Sequence, residues 1–362
     1  RCGGVIHTQK ENGFLYENGP NTGIIGSPEL GILLDELKDD LVVQIGDKAV
    51  KRRLILKNGQ WEALPSGLIG AIKTPLFSLR DKFRILAEPF RRKGENPEET
   101  LGELVLRRMG KSFLDYAIDP FILGVYAGDP SRLITKYAFP KLYTLEQNYG
   151  SFIGGSLKKR KIPKTQAEKK ATRDVFSFAN GLESLPLVLT QKIGKENIIT
   201  SVSDLQVQKV ESGYRASAQQ NGSSIELESK ILVSALNATS LDDQILPFVP
   251  EEFLKALKAV QYAPTVEVVL GFNNWKGIKL EAFGGLIPHR ENRDLLGVLF
   301  LSAFLPERAP VGGALLTLFM GGVRNPKWIN ASDEEIKNTV EKEICDLMQL
   351  EDFKPDLFKI IR

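Results

Sequence analysis

The sequence is poor in the residues that most often carry enzyme chemistry. Its 362 residues include two cysteines, Cys2 and Cys345, and two histidines, His7 and His289. Two cysteines cannot build a disulfide framework or a cysteine zinc cluster, and two histidines are too few for a multi-histidine metal site. The scarcity of cysteine favours a reducing, cytosolic compartment. We therefore predict no metal site and expect the chemistry to come from carboxylates, arginines or a bound cofactor.

Membrane spans, signal peptides and phosphate-binding loops are absent as well. The longest conspicuous uncharged run, 309–323, falls short of the roughly 18 residues that a bilayer span needs. Gly110-Lys111-Ser112 is similar to the end of a P-loop, but that loop requires glycine at position 105, which is Val105. No two glycines are separated by a single residue, so the dinucleotide fingerprint G-x-G-x-x-G does not occur within the sequence.

The composition is that of an ordinary globular protein. Hydrophobic residues make up 42% and charged residues 26% of the chain, which excludes bulk disorder. The 48 Lys and Arg against 45 Asp and Glu give a net charge of +3, too small for a general nucleic-acid-binding protein. The length predicts two or three domains.

Asn-Gly pairs predict tight hairpins in the first part of the chain. Both residues of a type I′ turn need positive φ, which Asn and Gly tolerate. Asn12-Gly13 and Asn58-Gly59 lie between segments with strand character. The predicted hairpin strands are 5–8 with 14–17, and 53–57 with 60–64.

Helical signals dominate residues 65–149 and return near the end. Thr100-x-x-Glu103 is a capping box, and Ser112-x-x-Asp115 resembles one. Ser332-x-x-Glu335 predicts the start of a last helix with an apolar face. The residues of that face are Ile336, Val340, Ile344 and Leu347.

Strand patterns follow the helical part. Ile231-Leu232-Val233 is a continuous apolar run, which predicts a strand covered on both faces. Helices inserted between β segments predict a composite α+β chain whose domains are not contiguous in sequence. The other predicted strands are 198–202, 205–210, 214–218, 225–227, 266–272, 295–303 and 315–320.

A glycine-rich segment opens the chain. Arg1-x-Gly3-Gly4 is followed by Gly13-Phe14-x-x-Glu17-x-Gly19-Pro20-Asn21. From the residues alone, the commoner explanation is a tight hairpin and a loop. The pattern nevertheless resembles the stretch that follows the dinucleotide fingerprint in the flavin-containing amine oxidase superfamily.

Within that superfamily, the chain is similar to the protoporphyrinogen oxidases over essentially its whole length. No single segment is decisive, but together and in order they are specific. The resembling segments are 86–90, 115–121, 124–130, 176–181, 284–288, 304–310 and 321–325.

The resemblance implies an α/β flavoprotein with a Rossmann-like FAD domain, a mixed-sheet substrate domain and a helical insertion. In the family the fingerprint precedes Arg1 and a second flavin segment follows Arg362, so we expect the interior of a longer polypeptide and an incomplete FAD domain. The predicted regions are 1–45 and 174–246 for FAD, 46–65 and 247–331 for substrate, a helical, membrane-facing domain 66–157, a basic linker 158–173, and 332–362 as a final helix and the start of a strand.

The implied activity is the FAD-dependent oxidation of protoporphyrinogen IX to protoporphyrin IX in heme biosynthesis, with dioxygen as electron acceptor. The poverty in histidine and cysteine agrees with this, because a flavin supplies the redox chemistry itself. Two alternatives remain open. One is a sister flavin oxidase acting on coproporphyrinogen, an amine or a carotenoid precursor, and the other is a non-catalytic scaffold of the same fold. A homodimer is also left open.

The resemblance assigns roles to particular residues, and it names no side chain as catalytic. Arg53 would bind a substrate propionate, because a guanidinium grips a carboxylate with two parallel hydrogen bonds. Without the resemblance, Arg53 reads as part of a solvated charge run and the apolar residues as core. The other predicted substrate contacts are Gly124, Leu286, Leu299 and Phe319. The predicted cofactor contacts are Arg1, Gly3, Gly4, Glu17, Gly19, Pro20 and Val202.

The stretch from Leu76 to Lys93 combines large apolar residues with arginine and lysine. A basic amphipathic helix can lie on an anionic membrane surface, although packing on its own domain is the commoner explanation. In the family this helical insertion faces the membrane. Peripheral membrane association is therefore a hypothesis.

Overall fold

The computed structural model describes residues 1–50, 52–65, 67–161, 163 and 165–362. The chain forms two compact units. Unit 1 contains Arg1–Gly4 and Glu183–Tyr262, and unit 2 contains Val5–Leu182 and Ala263–Arg362. Four residues of the predicted regions lie outside the described residues: Lys51, which is two residues before Arg53, Ser66 at a predicted boundary, and Ile162 and Lys164 in the predicted linker. The functional division into domains stays a prediction.

The strands are β1 Thr8–Glu11, β2 Phe14–Glu17, β3 Gly23–Ile24, β4 Val43–Ile45, β5 Arg53–Lys57, β6 Gln60–Ala63, β7 Val175–Phe178, β8 Val202–Val210, β9 Gly213–Gln220, β10 Ser223–Ser229, β11 Thr265–Phe272, β12 Gly284–Leu286, β13 Leu295–Leu299, β14 Ala314–Gly321 and β15 Leu357–Ile361. The helices are α1 Pro28–Glu36, α2 Gly67–Lys73, α3 Leu79–Leu86, α4 Leu101–Arg108, α5 Lys111–Phe113, α6 Asp119–Tyr126, α7 Thr135–Ala138, α8 Pro140–Tyr149, α9 Phe152–Arg160, α10 Gln166–Lys170, α11 Ser184–Ile193, α12 Glu251–Lys258, α13 Leu301–Phe304 and α14 Asp333–Met348. No helix among the described residues is long and apolar enough to cross a bilayer.

Unit 2 is built on a mixed seven-stranded sheet with the order β15-β11-β14-β13-β12-β5-β6. Strands β5 and β12 pair in parallel, and the other neighbours are antiparallel. The predicted mixed sheet is therefore confirmed. A smaller antiparallel sheet has the order β3-β7-β4.

Helix α14 covers one face of the large sheet. Ser332 and Glu335 form the predicted capping box, and the predicted apolar face, including Ile336 and Ile344, is buried. That face packs in the same core as Val268 and Leu316 of the sheet. Burial of each such side chain contributes about 1.5–3 kcal/mol, which explains why this helix could be predicted from its pattern.

The opposite face of the sheet packs against the β1–β2 hairpin. Phe14 and Tyr16 are fully buried and share a core with Val269 and Leu315. The predicted first strand, 5–8, was wrong, because the strand runs from Thr8 to Glu11. The two-residue turn pairs Glu11 with Phe14, and this register places the strand directly before the turn.

The helical part of unit 2 is held by buried charges. Arg108 is fully buried and donates from Nε to Glu88 Oε1 at 2.8 Å and from Nη1 to Glu146 Oε1 at 2.7 Å. The capping box of Thr100 is confirmed. The one predicted at Ser112 was wrong, because the Ser112 hydroxyl donates to Asp81 Oδ2 at 2.7 Å instead.

Unit 1 contains an antiparallel meander of β8, β9 and β10. The two strands predicted between 198 and 210 form one strand, Val202–Val210, which is interrupted by a bulge between Ser203 and Gln206. The strand predicted at Ile231–Val233 was wrong. Both Ile231 and Val233 are exposed, and in the described part of the chain no strand lies beside them, so the run has no ladder to join.

Candidate functional site

Three predicted substrate residues form a partly open surface on one face of the large sheet. Leu286 and Phe319 both pair with Gly297, and Leu299 lies two residues along the same strand as that glycine. Side chains two apart in a strand point to one face, so all three share it. Each is the only residue of its strand that is not fully buried. The sheet therefore leaves an apolar surface at these three positions.

Arg53 begins strand β5 on the same face. Gly284 pairs with Arg53 on one side and with Leu299 on the other, so Arg53 and Leu299 are two strand spacings apart, about 10 Å. The Arg53 guanidinium lies 5.9 Å from the centre of the Phe283 ring, which stacks on Phe304. The positively charged Arg53 side chain thus lies at the edge of the apolar surface.

A cavity of about 320 Å³ opens beside Arg53. Its charged lining consists of Asp47, Lys48, Arg53, Arg173 and Asp174, and its apolar lining includes Phe283 and Phe304. Lys48 pairs with Asp174 at 3.1 Å. Neither the Arg53 nor the Arg173 guanidinium has an ion-pair partner among the residues that the structure describes, so both can bind an acidic ligand in the cavity.

Gly124 lies in helix α6, where the helix meets the sheet. A Cβ at Gly124 would lie 2.5 Å from Leu286 Cδ2 and 3.3 Å from the Leu296 carbonyl oxygen. A side chain at this position would force the Leu286 side chain to shift, so glycine lets the helix and the sheet approach closely. The structure therefore brings Gly124 and Leu286 together, as a shared binding surface would need.

The predicted flavin loop is tied to the same face of the sheet. A Cβ at Gly19 would lie 2.4 Å from the Val5 carbonyl oxygen, so the tight approach requires glycine. After Pro20, the Asn21 side chain donates to Glu267 Oε1 at 2.8 Å and accepts from the Thr317 hydroxyl at 3.0 Å. Glu267 pairs with Phe319 in the sheet. The loop therefore adjoins the predicted substrate surface.

Glu17 is held in a buried polar cluster. Its Oε2 accepts from the Thr8 hydroxyl at 2.6 Å, and its Oε1 accepts from the Leu182 amide at 3.0 Å and from Arg308 Nη1 at 3.3 Å. Burial raises the pKa of Glu17 against the effect of these hydrogen bonds. Arg308 also donates to the Ser177 hydroxyl at 2.5 Å. This cluster fixes the strand that leads into the Gly19 turn.

The remaining predicted cofactor residues lie in unit 1. Arg1 donates to Glu183 Oε1 at 2.7 Å and to the Gly4 carbonyl oxygen at 3.1 Å. Gly3 and Gly4 both have positive φ, and nothing lies within 4 Å of the position that a Cβ at Gly4 would take. Backbone amides at such an open turn can approach a phosphate or ribityl group, so the residues fit a dinucleotide. Val202 begins β8 and is 41% exposed.

A family model described as flavin containing amine oxidoreductase matches residues 1–359. The chain belongs to this family. Membership in the flavin-containing amine oxidoreductase family confirms the predicted flavoprotein oxidoreductase class and the FAD cofactor. Among the described residues, no three His, Cys, Asp or Glu side chains gather as a metal ion would require.

Curated relatives in this family share a name. The chain is 33% identical over 365 residues to protoporphyrinogen oxidase 1, chloroplastic, from Arabidopsis thaliana, covering 95% of this chain and 67% of the relative. It is 28% identical over 342 residues to protoporphyrinogen oxidase from Homo sapiens, covering 89% and 70%. The predicted similarity to protoporphyrinogen oxidases is confirmed.

Two solved structures share the fold of this chain. A provisionally named protoporphyrinogen oxidase from Exiguobacterium sp. 255-15 superposes with a TM-score of 0.79 at 20% identity, covering 99% of this chain and 78% of that one. A cyclohexylamine oxidase from Brevibacterium oxydans IH-35A superposes with a TM-score of 0.65 at 14% identity, covering 99% and 76%. The predicted flavoprotein fold class is confirmed.

Glu267 is a site residue that the sequence analysis missed. Burial raises the pKa of Glu267 to about 8, the hydrogen bond from Asn21 lowers it, and the Glu17 carboxylate raises it further. The available signal was an acidic residue inside the apolar strand Thr265–Phe272. Its partner Asn21 is distant in sequence, so no spacing pointed to the contact.

The raised pKa of Glu267 predicts how stability depends on pH. The folded state holds a proton that the unfolded state releases near pH 4.5, so stability should fall as the pH rises from about 5 to about 8. This group alone contributes a slope of about 1.4 kcal/mol per pH unit. We expect Glu267→Gln to remove that slope in urea unfolding followed by tryptophan fluorescence.

The matched control is Glu103→Gln. Glu103 is an exposed capping-box carboxylate whose pKa is lowered by its hydrogen bonds to Thr100, and glutamine preserves such a box. Its slope between about pH 5 and pH 8 should equal that of the wild type. An unchanged slope in Glu267→Gln would contradict the assignment.

Proposed function

We propose that this chain oxidises protoporphyrinogen IX to protoporphyrin IX in heme biosynthesis, with FAD as cofactor and dioxygen as the final acceptor. The observation that carries the proposal is the half-buried surface of Leu286, Leu299 and Phe319 with Arg53 at its edge. An apolar macrocycle with acidic side chains fits an apolar surface flanked by a free guanidinium. The names of the curated relatives support the same substrate.

The chain's own residues would bind and orient the substrate. Leu286, Leu299 and Phe319 would contact the macrocycle, and the backbone at Gly124 would allow it to approach helix α6 closely. Arg53 would hold one propionate through two parallel hydrogen bonds. Arg173 lines the same cavity and would offer a second guanidinium for a second carboxylate.

The predicted cofactor residues would each meet a different part of FAD. Glu17, Gly19 and Pro20 would line the flavin, while Arg1, Gly3 and Gly4 would meet its phosphates or ribityl chain and Val202 its adenine end. When bound, FAD accepts two electrons and a hydrogen from the substrate, and in this reaction it does so in three successive steps. The protein supplies orientation and excludes water.

Porphyrin fluorescence tests the function directly. The chain is loaded with FAD, and protoporphyrinogen IX is added in air. The red fluorescence of protoporphyrin should appear faster than in a sample with FAD alone. Coproporphyrinogen, an amine and a carotenoid precursor form a parallel panel, and faster turnover of any of these would favour a sister oxidase. A protein that binds no yellow cofactor would favour the scaffold.

We also propose that the protein attaches to a membrane surface through helix α3 and the turn after it. Leu79 and Phe83, four residues apart, are 74% and 71% exposed, and Phe90 is 90% exposed. Ile85 is buried on the opposite side of the helix, so the apolar residues that face outward are not needed for its packing. The exposed cations Arg80, Arg92 and Lys93 lie among them. Apolar residues ringed by cations suit an anionic leaflet.

Vesicle co-sedimentation at low salt measures this attachment. We expect Phe83→Ser combined with Phe90→Ser to abolish most binding to vesicles that contain anionic lipid, because each phenylalanine loses about 1.5–3 kcal/mol of burial. The matched control is Val311→Ser, which removes a fully exposed apolar side chain from a loop elsewhere in unit 2. No binding by the wild type would reject the hypothesis. The cytosolic location stays a prediction.

A further inference from the structure

Glu267 is a buried acid beside the proposed substrate surface, and the roles given above do not use it. It pairs with Phe319 across strands β11 and β14, so the two side chains share one face. Glu267 is 7% exposed, and its only hydrogen bond to the described residues comes from Asn21. Its second carboxyl oxygen accepts no hydrogen bond from the described residues and is not sealed from solvent.

The charged groups around Glu267 leave it without a cation. The Glu17 carboxylate raises the pKa of Glu267, and Glu17 is itself paired with Arg308. On β15 the residue opposite Glu267 is Ile361, and the neighbouring Lys359 pairs with Glu11 at 2.8 Å. None of the described ion pairs includes Glu267. Its proton affinity is therefore set by burial and by Asn21.

We propose that Glu267 is the proton acceptor of the active site, taking up the proton that the porphyrinogen loses in each two-electron step. This role rests on the proposed function. Two contacts support it: Phe319, a proposed substrate contact, lies beside Glu267 in the sheet, and Asn21 belongs to the proposed flavin loop. Glu267 thus lies between the elements assigned to the two reactants.

The step balances with the groups named. A C–H bond of the substrate breaks, and its electron pair leaves with the hydrogen as hydride to the bound flavin, which is the oxidant. A second bond to hydrogen also breaks, its electron pair remains to form the new double bond, and the proton passes to the Glu267 carboxylate. Over the three steps the substrate loses four C–H and two N–H hydrogens, so this second bond is N–H in two steps and a C–H bond of a bridging carbon in one. The carboxylic acid then releases that proton to water before the next step. A carboxyl with a pKa of about 8 is basic enough to accept a proton near neutral pH and acidic enough to release it.

Anaerobic stopped-flow measurement tests the role in the FAD-loaded protein. The rate constant for flavin reduction by protoporphyrinogen IX should rise with pH and level off above an apparent pKa near 8. Glu267→Gln keeps the shape and the hydrogen-bonding ability of the side chain but cannot take a proton. We expect a plateau about 10²-fold lower, without that titration. Glu267→Asp should restore part of the rate and a titration.

Glu343→Gln is the matched control. Glu343 is another buried carboxyl with a raised pKa, and it accepts from the Asp294 and Leu295 amides on the face of the sheet that α14 covers. Its replacement should lower stability and leave the pH profile of flavin reduction unchanged. A merely structural role of Glu267 would give the same result for both variants.

A second readout needs neither substrate nor cofactor. The infrared band of a protonated carboxyl that is present in the wild type and missing from Glu267→Gln should disappear as the pH rises through about 8. If Glu267→Gln does not fold, the test uses the wild type alone. The apparent pKa of its flavin-reduction rate must then match the pH at which one of its protonated-carboxyl bands disappears, and a mismatch overturns the role. Porphyrin formation by the wild type with an unchanged profile in Glu267→Gln overturns the role alone. A wild type that forms no porphyrin overturns both proposals.

Discussion

Replacing Arg308 by methionine should lower the free energy of unfolding of unit 2 by about 3–5 kcal/mol. Arg308 is 2% exposed and is the only described ion-pair partner of the buried Glu17. Methionine fills part of the volume but leaves that carboxylate without a cation, and the Ser177 hydroxyl and Phe178 carbonyl lose a donor. An unpaired charge in a dry site is among the most costly single changes.

Urea unfolding followed by tryptophan fluorescence is suited to this measurement. Trp61, Trp275 and Trp328 are the three tryptophans of the chain, and all belong to unit 2, so the signal reports that unit. The control Arg290→Met removes a half-exposed partner of Asp115 and should cost at most about 1 kcal/mol. Adding Glu17→Gln to Arg308→Met should recover much of the loss, because no ionised group then remains unpaired. Equal stability of Arg308→Met and Arg290→Met would contradict the structure.

Replacing Arg53 by alanine should lower kcat/KM for protoporphyrinogen IX about 10- to 100-fold. A hydrogen bond to a charged group contributes about 1.5–3 kcal/mol, and the proposed propionate contact would be lost. The content of bound FAD, measured from visible absorbance per protein, should stay unchanged, because Arg53 lies in the sheet strand β5 and not in the glycine turns. The kcat/KM of Arg53→Lys should lie between those of the wild type and Arg53→Ala, since an ammonium group cannot form the paired contact.

The neighbouring residue provides a matched control for Arg53. Arg52 is also an exposed arginine, but the lining of the cavity includes Arg53 and not Arg52. Arg52→Ala should therefore keep the wild-type kcat/KM. If both substitutions have the same effect, general charge attraction explains the loss and the specific contact is refuted.

Local signals in the sequence predicted the elements that local interactions determine. The hairpin turn at Asn58-Gly59 has positive φ at both residues, and helix α14 begins at its capping box, because neither feature needs a distant partner. Ser112 had a comparable local signal but bonds to Asp81 instead. Its partner lies 31 residues away, where spacing carries no information.

The site residues depend even more on contacts that local sequence signals do not reveal. Alternation alone assigns Leu299 and Phe319 to the core, and only the register across several strands shows that they are the partly exposed residues of one face. The resemblance to a known family, and not the periodicity, singled them out. Neither the alternation pattern nor the family resemblance pointed to Glu267, because its contact with Asn21 joins positions 246 residues apart. Desolvation of that carboxyl exists only once the sheet is assembled.

The pairing of β5 with β12 has a consequence for synthesis on the ribosome. Gly284 joins Arg53 across 231 positions (284 − 53), and the whole of 183–262 is translated in between. The meander of unit 1 can close as soon as it leaves the exit tunnel, since its strands follow one another directly. The nascent β5–β6 hairpin instead keeps an unpaired edge until β12 has been synthesised. Chaperones that shield such edges should protect the chain from aggregation most during that interval.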